Sequence, residues 1–390
     1  TQIMIINQFV GAFEPYSSIR TDVLCISKGA EERGHTVIIH TTFPPYRGKS
    51  IYYEDISRNI KVIHYPYAFR IRKFNISLHM LRVRKLPDGI LHAHGYRAFE
   101  TFCASKIKDL CNMPLVLSTY GSVPYVYDLK SKILKLLQDV ITRRYPLKKA
   151  DIILAETCFE KKFLIKLGVP ADKIRVIYEK VDIKVFHKRH DILLNGLPRD
   201  VYQDKIILFV GRINRIKGID ILIRAFSLLP KHLVETSCVV LIGPCEDRSY
   251  LNYLRRLSKK LGVSHKVFYL GPMRHELLPR AYSAATVTVL PSRYENIGGV
   301  LIEAQACECP VIASNIGGIR EVIIEGKTGF LFSINNENEG VNDLSEKLKR
   351  ILTDEGLRNK MAKQARRYVL ERFSVEKYVE RVLEVYRSLV

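Results

Sequence analysis

A chain of 390 residues is longer than one hydrophobic core usually supports, so two domains of ordinary size are expected. Apolar residues at 47% and charged residues at 26%, with no low-complexity tract and no repeat of about 20–50 residues, exclude a disordered chain and a solenoid. No run reaches the roughly 18 uncharged apolar residues of a membrane-spanning helix, no leader pattern opens the chain, and Cys307 with Cys309 is the only close cysteine pair, so reduced thiols and a cytoplasmic location are the expectation.

The net charge of +22 is unevenly spread, with residues 1–190 carrying 32 Lys+Arg against 17 Asp+Glu. Arg58 to Lys85 holds eight basic and no acidic residues, and Lys130 to Lys149 holds seven basic residues and Asp139. Anionic partners fit such stretches. The aromatic-containing segment Tyr65–Lys85 is a candidate for anionic lipid, with a plain basic face as the alternative.

In chain order, Ile3–Asn7 is a short apolar strand, Ser17–Arg33 has helical spacing ending at Gly34, and Thr36–His40 is a second strand. Strands at Gly89–Ala93, Leu115–Thr119 and Asp151–Ala155, separated by helix-length segments, predict a doubly wound parallel sheet. The first domain is expected to end at residue 186. Polar, turn-rich residues 187–203 read as a connector. A second series then begins, with strands at Lys205–Val210, Cys238–Ile242, Lys266–Leu270, Thr286–Leu290, Pro310–Ala313 and Gly329–Phe332, a second domain to 373, and a terminal helix over 374–390. The expected fold class is α/β, two Rossmann-like αβα domains facing across a cleft.

In open parallel sheets, ligands bind at the carboxyl ends of strands, where helix N-termini offer unpaired N–H groups. After Val210 comes Gly211-Arg212-Ile-Asn-Arg215-Ile-Lys217-Gly218, which brings glycines, cations and a helix start together in the manner a diphosphate requires. A solvated basic turn is the alternative for this loop alone. It is neither a Gly-x-Gly-x-x-Gly nor a Walker loop. After Leu290 comes Pro291-Ser-Arg-Tyr-Glu295-Asn296-Ile-Gly298-Gly299-Val300-Leu-Ile-Glu303, where the two glycines are expected to open a helix and admit a ligand close to the backbone. Glu295 and Glu303, eight residues apart, would stand roughly 12 Å apart along one helix, too far for the carboxylate pair of a retaining glycosidase, so separate tasks are expected.

These residues resemble the retaining family-4 glycosyltransferases (glycosyl transferases group 1) of GT-B fold. Val210–Phe226 is similar to their phosphate-binding segment, and Pro291–Val322 to their Glu-x7-Glu segment. Arg33-Gly34-His35-Thr-Val37, Leu91-His-Ala-His94-Gly95 and Ala150–Leu154 match as well, so the resemblance spans nearly the whole chain. It implies Arg212 and Lys217 on the donor diphosphate, Glu295 on the donor sugar and Glu303 on the nucleotide ribose, with Asn296, Gly298, Gly299 and Val300 completing that side. It further implies Gly271, Met273 and Arg274 at the base, His94 near the reacting sugar, and a last helix that returns to the first domain. Glu295, Lys217, Arg212 and His94 are the catalytic candidates. Ser17, Ser18 and Tyr120 are candidates on the acceptor side, and the acceptor is expected to be a glycan or lipid-linked.

No Asp-x-Asp motif is present, so no cofactor and no metal is expected, the nucleotide sugar being a co-substrate. The chain departs from the family pattern at four places. Gly11–Ser18 lacks a Gly-Gly pair, Tyr120 precedes Gly121 where histidine is common, Ile177-Tyr-Glu179-Lys180-Val-Asp182 replaces a Pro-Asn-Gly-Val-Asp turn, and Glu308 stands where glycine is usual. A catalytically weak sugar-nucleotide-binding protein is therefore one alternative. A basic nucleic-acid-binding protein is another, although no nucleic-acid module is legible.

Overall fold

A computed structural model describes residues 3–11, 13, 18–43, 50–71, 74–121, 133, 136, 139, 144–190 and 204–390. The chain divides into two compact units, Thr1–Tyr178 with Val375–Val390, and Glu179–Ser374.

The strands of the first unit are β1 (Ile5–Val10), β2 (Thr36–Phe43), β3 (Tyr52–Ser57), β4 (Ile60–Pro66), β5 (Phe69–Ile71), β6 (Phe74–Ile76), β7 (Ile90–His94), β8 (Leu115–Ser118), β9 (Ile152–Ala155) and β10 (Ile174–Val176). Eight of them form one sheet in the order β10-β9-β8-β7-β1-β2-β4-β3. All of its pairings are parallel except β3 on β4. The central strands are buried on both faces, as runs such as Ile-Leu-His-Ala-His in β7 require.

Helices cover both sides. On one, Val23, Ile26 and Ala30 of the helix Ser18–Glu31 meet Tyr378, Val379, Val382, Leu383 and Tyr386 of the last helix, Val375–Arg387. On the other, Cys103, Ala104 and Ile107 of the helix Phe99–Cys111 pack with Leu91, Leu115, Leu117 and Ile153. The terminal helix thus completes the core of the first unit, as the resemblance implied.

Strand β4 and the β5–β6 hairpin fall within the Arg58–Lys85 stretch singled out for its basic residues, and β3 immediately precedes it. In β4 the buried Ile60 and Val62 flank the exposed Lys61, and Tyr65 is a core residue bonded to His40 at 3.0 Å, so Tyr65 is withdrawn from the candidate lipid face. Among the described residues from Tyr65 to Lys85, the exposed ones are Ala68, Phe69, Arg70, Leu78, His79, Arg82, Arg84 and Lys85. Most of the second basic stretch lies outside the described residues.

The second unit holds β11 (Lys205–Val210), β12 (Ser237–Ile242), β13 (Val267–Gly271), β14 (Val287–Leu290), β15 (Val311–Ser314) and β16 (Gly329–Phe332), all parallel, in the order β13-β12-β11-β14-β15-β16. Its helices start where local chemistry allows. Asp247 accepts from the Tyr250 N–H at 3.0 Å to open Arg248–Lys260, and Asp354 accepts from the Leu357 N–H at 2.8 Å to open Glu355–Arg372.

The division at Tyr178 precedes the expected end of the first domain at 186. Residues 179–186 pack on the second unit: Val181 donates its N–H to Phe373 O at 2.8 Å, and the Phe186 carbonyl accepts from Arg366 at 2.7 Å. Residues 191–203 of the expected connector lie outside the described residues.

Candidate active site

In the second sheet the strand order reverses between β11 and β14, which pair through Ile207↔Val287 and Leu208↔Thr288. The loops leaving the carboxyl ends of these two strands are Gly211–Gly218 and Pro291–Gly298, the two segments singled out in the sequence. A switch point of this kind is where open parallel sheets bind ligands.

The loops are joined by backbone and side chain. The Arg293 N–H donates to Ile216 O at 2.7 Å, and the Arg293 guanidinium grips the buried Asp220 through two bonds of 2.9 and 2.8 Å. Gly218, with φ of 63°, lies so close to the Pro291 carbonyl that a β-carbon there would stand 2.0 Å from its oxygen. Asn214 caps the tight turn Arg215–Lys217, accepting from the Lys217 N–H at 3.2 Å.

That turn aims Lys217 across the switch point. Its Nζ donates to Glu295 Oε2 at 2.5 Å, and Ser292 Oγ donates to the same oxygen at 3.2 Å. Both partners of the ion pair are largely buried, at 14% and 16% exposure. Arg212 takes a different course: it is exposed and bonds Glu246 at 3.1 Å, with Asn214 on the other Glu246 oxygen at 2.8 Å. The structure therefore separates the two expected cations, placing Lys217 on the carboxylate and Arg212 at the outer edge of the loop.

Gly298, with φ of 77°, caps the helix Gly299–Ala306, on which Val300 and Glu303 are half-buried. Both Glu303 oxygens are engaged, Oε1 by His275 Nε2 at 2.8 Å and Oε2 by the Tyr282 hydroxyl at 2.7 Å. The hydrogen bond to Glu303 raises the pKa of His275 above its ordinary value. Gly271 closes β13 and accepts from the Gly243 N–H at 2.8 Å, while Met273 is half-buried and Arg274 exposed in the loop that follows. Asn296 accepts from the Gly318 N–H at 2.9 Å through its backbone oxygen.

A third carboxyl joins this group. Glu179 lies against Gly299, where a β-carbon would meet its Oε2 at 2.7 Å. Burial, with Glu303 and Glu295 adding like charge, pushes the Glu179 carboxyl up to about 7, and His275 opposes the shift. The sequence marked Glu179 only as a departure from a pattern. Tyr282 and Glu246 carried no signal at all, because each acts through a partner distant in the chain, Glu303 and Arg212.

In the first unit, the reversal lies between β1 and β7, and His94 ends β7 there. His94 is buried, with Nδ1 2.7 Å from the Tyr120 hydroxyl and Nε2 2.8 Å from Gln8 Oε1. The Gln8 amide nitrogen donates to Ser27 Oγ at 2.8 Å, so its Oε1 is left to accept and His94 carries its proton on Nε2. Burial, with His92 beside it, holds His94 well below its ordinary pKa, and the ring is a neutral one. Tyr120 is held in the left-handed region at φ 51°. Ser17 and the side chain of Ser18 lie outside the described residues.

Comparison with known proteins agrees with this architecture. Residues 21–185 match the model of Glycosyltransferase Family 4, and residues 200–368 match that of Glycosyl transferases group 1. An uncharacterized glycosyltransferase of Methanocaldococcus jannaschii is 27% identical over 385 residues, covering 93% of this chain and 92% of that one. The N-acetyl-alpha-D-glucosaminyl L-malate synthase of Bacillus anthracis is 26% identical over 371 residues, covering 94% and 92%. Among solved structures, Anabaena HepE in complex with UDP and glucose superposes with a TM-score of 0.76 at 18% identity, covering 99% of this chain and 100% of that one. With both family models matched in sequence and two Rossmann-like parallel-sheet units in place, the chain belongs to the family-4 glycosyltransferases of GT-B fold.

Proposed function

We propose that this glycosyltransferase moves a hexose from a nucleotide diphosphate sugar to an acceptor hydroxyl, with retention and without a divalent metal, in the cytoplasm. The observation that carries the reading is the Lys217–Glu295 pair, set at the switch point beside the N-terminus of the helix Gly299–Ala306. Breaking the anomeric C–O bond leaves negative charge on the diphosphate and positive charge on the sugar ring. One of the three Lys217 N–H donors goes to Glu295, and the others serve phosphate oxygens. The helix N-terminus supplies backbone amides to the same charge, and Glu295 lies on the sugar side. Retention follows the family pattern, the leaving phosphate accepting the acceptor proton on the face it departs from.

The UDP held by HepE and the hexosaminyl product in the name of the Bacillus relative support UDP as the first nucleotide to test. Thermal stabilisation across UDP-, GDP- and ADP-sugars is expected to select one nucleotide class. Glu303→Ala is expected to abolish that shift. Lys217→Ala is expected to cut turnover at saturating donor by about 100- to 1000-fold, the usual effect of losing one preorganised charge-stabilising donor. Near-normal turnover in Lys217→Ala would refute the diphosphate assignment.

The departures at Tyr120 and Glu179 favour one second reading, a protein that binds sugar nucleotide but transfers poorly. Transfer or hydrolysis of a bound donor separates the two.

A further inference from the structure

At the N-terminus of the helix Gly299–Ala306 stands a carboxyl that the family pattern does not call for, where a turn asparagine is usual. Glu179 reaches Gly299 from the segment that opens the second unit, with both of its oxygens within 3.0 Å of the position a Gly299 β-carbon would take. An ionised carboxylate there would compete with an anionic ligand for the helix amides and repel it. A neutral carboxylic acid has an O–H to offer instead.

We propose that Glu179 belongs to the donor site as a neutral carboxylic acid, donating its O–H to a diphosphate oxygen beside the Gly299 amide. This rests on the reading of the switch-point loops as a sugar-nucleotide site. The surrounding charges favour the neutral form. Glu295 faces Glu179 from the loop before the helix and is paired with Lys217. Glu303 faces it from the helix itself and is bonded by Tyr282 and His275. His275 opposes the neutral form, and on the segment of Glu179 itself the neighbouring Lys180 is half-buried, with desolvation pushing it down to about 8. Together with burial, the two carboxylates place the titration of Glu179 at about 7.

The consequence has a definite sign. About one pH unit below 7 and lower the acid is mostly neutral and the donor binds nearly fully; as pH rises through 7 the binding-competent fraction shrinks, and at pH 8 apparent affinity is lower by about tenfold. The diphosphate of a sugar nucleotide is a diester with constant charge over this range, so the trend belongs to the protein.

The test is calorimetric titration of wild type, Glu179→Gln and Glu179→Ala with UDP-sugar, or the nucleotide class selected by thermal shift, from pH 6 to pH 8. Wild type is expected to lose about tenfold in affinity across this range and to take up close to one proton per donor at pH 8, read from buffers of different ionisation enthalpy. Glu179→Gln keeps a neutral N–H donor and is expected to bind as tightly at pH 8 as at pH 6, apart from what His275 and Lys180 contribute. Glu179→Ala is expected to be equally flat but weaker at pH 6. Parallel profiles for wild type and Glu179→Gln, or donor binding by wild type without proton uptake, would overturn the assignment while leaving the donor site standing. The absence of binding at every pH, in wild type as well, overturns the donor reading and this inference with it. The proton count needs wild type alone, so the proposal is tested even where a variant fails to fold.

Discussion

Glu100 illustrates what a single buried carboxyl costs. It is 2% exposed in the first turn of the helix Phe99–Cys111, accepts from Thr42 Oγ1 at 2.7 Å, and burial pushes it up to about 7 against the Thr42 bond. Because the folded state holds the proton more tightly than the unfolded chain, the group costs nothing below pH 4.5. Stability is then lost as pH rises to about 7, and the loss is constant beyond. Glu100→Gln removes this dependence, so its stability relative to wild type is expected to rise by up to about 3 kcal/mol between pH 4.5 and 7 in urea unfolding. Parallel curves would mean that the carboxyl ionises freely in the folded state. Glu308 carries strain of another kind: at φ 58° it keeps the left-handed backbone for which glycine is usual, and Lys188 at 3.6 Å offers only a weak surface partner.

Between elements, the donor-side loops depend on how closely β11 and β14 allow their continuations to approach. Gly218 is the contact point. Alanine there would meet the Pro291 carbonyl at 2.0 Å and keep a left-handed φ, so the two loops would have to part. Gly218→Ala is expected to destabilise by at least about 2 kcal/mol and to abolish donor-induced thermal stabilisation, because Lys217 immediately precedes it. Retained donor binding at normal affinity would show that the spacing of the loops is not what positions Lys217. The loops themselves were legible from glycines and cations after apolar strands. Their partners were not, since Glu303 meets Tyr282 and His275 through a turn and a helix whose relative placement no local pattern encodes.

For the molecule as a whole, the net charge of +22 is a physical property independent of the fold. In the first unit, exposed Arg70, Arg82, Arg84 and Lys85 lie near exposed Phe69 and Leu78 in sequence, a composition that suits anionic lipid. No helix among the described residues is long and apolar enough to cross a membrane. Flotation with anionic liposomes is expected at low salt and to be lost on raising the salt several-fold, as each surface cation contributes roughly 1 kcal/mol that screening removes. No flotation at low salt would leave the stretch a solvated basic face.

The sequence by itself determined the strand and helix periods, the two αβα series, the family, and the glycines, cations and carboxylates from which the site is made. The periods and the two series are legible because burial on a sheet or helix face imposes a short-range pattern, and the family through its resemblance at Val210–Phe226 and Pro291–Val322. Only the tertiary structure decided that β4 and β3 extend the first sheet, that the last helix closes its core, that Lys217 grips Glu295 while Arg212 turns to Glu246, and that Glu179 comes to rest on Gly299. Each joins residues far apart in the chain. Such pairings follow from strand order and side-chain fit across the core, which a local pattern constrains but does not encode.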